Sequence, residues 1–124
     1  MDNENSGKLM VVTTNYVPGY RITKVIGATF GVVVRSRGIG GNILASLKSI
    51  VGGEIGAYTK MLSDAREHAM QRLEENAKAQ GANAVVSMSF DSSEIAQAMN
   101  EIVAYGTAVV VEEDPKAADA VSLR

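Results

Sequence analysis

Two short runs, "GVVV" at residues 31–34 and "AVVV" at 108–111, constrain the fold more than any other feature. Neither alternates apolar with polar. A strand with one wet face alternates, whereas a strand apolar on successive residues needs cover on both faces. The rest of the chain must therefore supply two covers for one sheet.

The neighbouring segments supply one. "LMVVTT" (9–14) reads as a short β-branched strand, and "VPGY" (17–20) as a type II turn. "YRITKVIGATFGVVV" (20–34) is strand-like throughout, with Gly27 and Gly31 marking a bulge, a bend or the close approach of another backbone. After the loop "RSRGIGGN" (35–42), residues 43–51 place Ile43, Leu44, Leu47, Ile50 and Val51 at helical spacing. A second helix is expected from about Glu54–Ala57 to Gln80, with Tyr58, Met61, Leu62, Ala65, Ala69, Leu73 and Ala77 as its buried stripe. Much of that stripe is alanine, so the helix should lie close to its support. Glu74 and Lys78 are placed for an i,i+4 pair, and Gly81 for a cap. "ANAVVSMSF" (82–90) and "EIVAYGTAVVVEE" (101–113) read as strands. The polar "DSSEIAQAMN" between them is either a long hairpin connection or an irregular strand extension.

The expected order is β-β-α-α-β-β: an α+β, two-layer sandwich with a mainly antiparallel sheet and two helices on one face. Residues 1–8 are expected to be a disordered lead, 9–113 a single domain and 114–124 a mobile tail. Two helices cover one face of such a sheet, so the second cover is expected from another copy of the chain. Self-association through the sheet follows as an expectation.

Composition narrows the partners. Lys plus Arg number 12 against 14 Asp plus Glu, and aromatic residues are 5% of the chain, which gives no electrostatic or stacking footprint for nucleic acid. With 0 Cys there are no disulfides, no thiolate nucleophile and no thiolate metal ligands. "MDNENSGK" does not read as a signal peptide, and no apolar run is long enough to span a membrane. These features together suit a soluble, cytoplasmic protein.

The glycine-rich "SIVGGEIGAY" (49–58) invites a phosphate-loop reading. Such a loop follows a strand and ends in Lys and Ser or Thr. Here the cluster follows a helix, and Glu54 adds negative charge. Gly53, Glu54 and Tyr58 remain ligand candidates through the free N–H groups of a helix start, and a turn between helices is the simpler reading. Asp64 and His68, four residues apart, could share a metal ion, although a solvated pair of helix residues is the simpler reading. Met61, Met70 and Met88 offer thioethers for copper(I), against an ordinary role as core filler. Asp91 and Glu94 could act as paired carboxylates, against turn and capping chemistry. Tyr105 beside Gly106 could stack on a ligand or a neighbouring subunit. No cofactor is identified, and no catalytic residue is assigned.

"RSRGIGG", "ASLKSIVGGEIGAYTKMLSDARE", "AKAQGANAVVSMSFDSSEI" and "EIVAYGTAVVVE" resemble, in order and spacing, the YbjQ family, labelled heavy-metal-binding. The resemblance covers roughly residues 9 to 113. It implies a two-layer α/β fold assembled as a ring-like homopentamer, and it brings no reaction and no established ligand. Many relatives carry an Arg-Asp pair just before the first helix, where this chain has Gly41-Asn42. The combined expectation is a homo-oligomeric binding module for a metal ion or small ligand at subunit interfaces. A scaffold ring without a ligand is the alternative, and an enzyme the third choice.

Overall fold

The computed structural model describes residues 8–36, 55–96 and 99–116, with the side chains of 36, 55–59 and 61 excepted. The elements are β1 (Met10–Val11), β2 (Tyr20–Ser36), α1 (Ile55–Ala79), β3 (Ala84–Ala96) and β4 (Met99–Glu113). They form a four-stranded sheet in the order β1-β3-β4-β2, with α1 against one face. β1 pairs with β3 in parallel, and the other two pairings are antiparallel. The expected first helix at 43–51 and the glycine connection at 52–53 lie outside the described residues.

β2 begins where expected, after a turn in which the Tyr20 amide donates to the Val17 carbonyl (3.0 Å) and Gly19 has φ +84°. It runs 17 residues along β4 and ends at Ser36, beyond the Val34 expected from sequence. Two register shifts, one of them at Val25/Gly27, give it bulges. The polar stretch after Phe90 continues β3 as strand to Ala96, paired with the start of β4. Of the two readings the sequence left open, it is therefore the strand extension. β1 is shorter than 9–14, because Val12 and Thr14 leave regular pairing to hold a kink in β3. There Ser87 has φ +55°, its amide donates to the Thr14 carbonyl (2.8 Å), and the Met88 amide donates to the Val12 carbonyl (3.0 Å).

α1 buries Ala65, Ala69, Leu73 and Ala77, a strict four-residue repeat. The alanine stripe does bring the helix close. A Cβ built on Gly31 would collide with the Ala69 carbonyl oxygen and the Leu73 amide nitrogen, so β2 meets the helix backbone to backbone there. Thr29, on the same strand, donates from Oγ1 to the Leu73 carbonyl (3.4 Å). Leu62 departs from expectation: it stays exposed, because α1 packs chiefly on β2 and then β4 and only lightly on β3. Among the described residues, the i,i+4 ion pair on this helix is Lys60–Asp64 at 3.4 Å rather than Glu74–Lys78. The helix ends in a Schellman motif. The Gly81 amide donates to the Lys78 carbonyl (2.9 Å) and the Ala82 amide to the Ala77 carbonyl (3.0 Å), with Gly81 at φ +93°. Asn83 then stands in for a peptide group, donating to the Val111 carbonyl (3.0 Å) and accepting from the Val111 amide (2.8 Å).

The two apolar runs are resolved differently. In the second, Ala108 faces α1, while Val109 and Val111 join Val17, Ala84 and Val86 in a separate cluster on the outer face, fringed by Met10, Val12 and Tyr20. The segment leading into β2 thus covers β3 and β4 at this end of the outer face from within the same chain, while Ile22 and Val25 of β2 stay exposed. In the first run Gly31 and Val33 are buried on the helix face, but Val32 and Val34 are exposed.

Candidate functional site

The described residues offer two regions for function. The first is the uncovered end of the outer face. Side chains alternate along a strand, so Phe30, Val32 and Val34 share that face, and the register sets Phe30 opposite Tyr105 and Val32 opposite Val103. Phe30, Val32, Val34 and Tyr105 are all large, apolar and exposed. Further down the same strand Ile22 and Val25 are exposed too, opposite Val111 and Val109. An apolar surface of this kind is a candidate interaction surface.

The second region is the free edge of β2, where α1 lays three side chains at four-residue spacing. Arg35 Nη2 donates to His68 Nδ1 (2.8 Å), Arg72 Nη1 to the Val32 carbonyl (2.6 Å) and Asn76 Nδ2 to the Phe30 carbonyl (2.6 Å). An edge strand presents unpaired carbonyls to any passing chain, and this ladder occupies two of them. The sequence reading missed it. The signal was the i, i+4, i+8 spacing of His68, Arg72 and Asn76 beside a buried alanine stripe, but nothing in the sequence says that the stripe's flank meets a strand edge.

Of the residues singled out from sequence, Gly53 and Glu54 lie outside the described residues, and Tyr58 falls in α1 with its side chain undescribed. Asp64 and His68 are not joined: Asp64 accepts from Lys60 and His68 from Arg35. Asp91 and Glu94 are both exposed on β3, and their odd spacing along a strand points them to opposite faces. Asp91 Oδ1 accepts from the Ser92 amide (2.9 Å). Met70 and Met88 pack half-buried against the main core, and the Met61 side chain is undescribed. A shallow cavity of about 310 Å³ at the base, lined by Gly19, Tyr20, Glu113, Asp114 and Pro115, contains none of these candidates.

The donor set does not fit a heavy-metal centre. There is no thiolate in the chain, and among the described residues no group of three or more His, Asp or Glu gathers. His68 Nδ1 is occupied by a guanidinium, which repels a second cation. Among the described residues no helix is long and apolar enough to cross a membrane.

Comparison with known proteins places this architecture. The chain is 59% identical over 113 residues to a UPF0145 protein of Thermoplasma volcanium, covering 91% of each chain. It is 64% identical over 104 residues to a UPF0145 protein of Bradyrhizobium, covering 84% of this chain and 94% of the relative. Among solved structures, a protein of unknown function of the DUF74 family from Pediococcus pentosaceus superposes with a TM-score of 0.55 at 15% identity, over 84% of this chain and 98% of that one, a likeness of fold. The model of one family, described as "Putative heavy-metal-binding", matches residues 9–112. By that match and those identities the chain belongs to the YbjQ (UPF0145) family.

Proposed function

We propose that the chain is a homo-oligomeric binding module whose subunits meet through the uncovered end of the sheet's outer face and close into a ring, most simply a pentamer. A small ligand is held beside that interface. The observation that carries this reading is the exposure of Phe30, Val32, Val34 and Tyr105, continued along β2 by Val25 and Ile22, on a face where the chain itself covers only β3 and β4 at the other end. These side chains are already half-buried, so covering the rest contributes roughly 1 kcal/mol each, and the patch must act as a whole to offset the cost of association. A metal ion fits this module only if several copies contribute carboxylates around a common axis, which would suit a hard cation.

Native mass spectrometry of the untagged protein tests the proposal, as purified and after addition of a panel of divalent metals. A five-subunit species carrying a stoichiometric extra mass is expected. A bare ring that ignores every addition favours the scaffold alternative, and a monomer at working concentration refutes the proposal.

A further inference from the structure

The cationic cluster where β2 meets α1 keeps donors and charge beyond those that the β2-edge ladder uses. Arg35 Nε is buried and, among the described residues, has no hydrogen-bond partner. Its Nη2 goes to His68, and among the described residues no carboxylate pairs with Arg35 or with Arg72. The carboxylate one turn before His68, Asp64, is engaged by Lys60. A partly buried guanidinium with no anion among the described residues is costly, and an unsatisfied buried donor calls for an acceptor.

The hydrogen-bond directions define what that acceptor is. Guanidinium nitrogens only donate, so His68 Nδ1 accepts and the ring proton sits on Nε2. His68 therefore presents a second donor, Nε2–H. Arg72 uses one N–H on the Val32 carbonyl and keeps the others, one helical turn from His68. The remaining hydrogen-bonding positions of Arg35, His68 and Arg72 are all donors, two of the groups carry positive charge, and the guanidinium fork matches a planar or tetrahedral oxyanion. We infer that Arg35, His68 and Arg72 form a receptor for a small oxyanion, a carboxylate or phosphate group, at the edge of β2 on the helix side of the sheet.

Arg35 follows Val34 on the same edge strand but points to the helix side, so the receptor lies across the β2 edge from the surface through which subunits are proposed to meet. Two sources of the group are compatible with this chemistry: a free anion, or a carboxylate carried by a neighbouring copy. The inference gives the binding module its ligand class and rests on that reading for its use, while the receptor itself lies within one subunit.

Isothermal titration calorimetry of the intact protein at low ionic strength, with inorganic phosphate and with acetate as probes, tests it. One saturable site per chain is expected, weakened roughly tenfold or more by Arg35→Gln and by His68→Leu, and partially by Arg35→Lys, which keeps charge but not the fork. Arg21→Gln, which removes the Arg21–Glu112 ion pair near the opposite end of β2, should leave binding unchanged. Circular dichroism checks that each variant folds. If neither probe binds but Arg35→Gln dissociates the assembly, a neighbour's carboxylate fills the receptor. If neither binds and the assembly of Arg35→Gln is unchanged, the inference is wrong and the proposed ring still stands. A monomer that binds phosphate in an Arg35-dependent way upholds the receptor and removes the ring.

Discussion

At the base of the sheet's outer face Val109 and Val111 lie beneath Val17, which is 5% exposed; at the top, Phe30 and Val34 are 51% and 47% exposed. Both ends are built from similar apolar residues on β2 and β4. They differ in what the rest of the chain brings to them. At the base the turn at 17–20 folds a valine back over β3 and β4, leaving Ile22 and Val25 of β2 exposed. At the top the described residues bring nothing over the face, and the polar groups nearby line the β2 edge instead. An apolar run therefore declares that it needs cover, but not whether the cover comes from the same chain.

The largest effect is expected on the helix side, which both ends share. Gly31→Val drives a branched side chain into the backbone of α1, where no rotamer change relieves the clash. It should cost about 3 kcal/mol or more, or prevent folding, as read by urea denaturation. Truncating the cover at the base, Val17→Ala, should cost about 2 kcal/mol of folding stability with no change in subunit number. Removing a rung at the β2 edge, Asn76→Ala, should cost about 1 kcal/mol. It should also raise aggregation on heating, followed by light scattering, because the Phe30 carbonyl loses its donor. At the top, Val34→Thr should change monomer stability by less than about 0.5 kcal/mol, the ordinary surface value, yet weaken assembly in a dilution series. An equal stability loss from Val17→Ala and Val34→Thr would erase the distinction between the two ends.

Much of the frame was legible from residue patterns. The β-branched content of β2, the alanine stripe of α1 and the glycine that ends it each act locally or through a simple period, and each was found in place. Gly27 and Gly31 were legible as a bulge, a bend or a close approach without a choice among them, and at Gly31 it is the close approach of the helix backbone. The cover supplied by Val17 was not legible, since it depends on how a turn folds back onto strands far along the chain. Neither was the pairing of Arg35 with His68, which joins residues 33 positions apart through side chains alone. Leu62 misled because a helical period gives a face but not its extent. His68 was singled out as the only histidine of the chain, four residues after Asp64. Its partner, though, is a guanidinium rather than the carboxylate expected from spacing.

The most direct test of self-association is native mass spectrometry of the wild type beside a Phe30→Ser/Val32→Ser variant. The wild type should appear as a closed oligomer, most simply of five chains, and the variant as a monomer with the same circular dichroism spectrum. A monomeric wild type, or a variant that assembles unchanged, would contradict the claim that the bare end of the sheet is where copies of this chain meet.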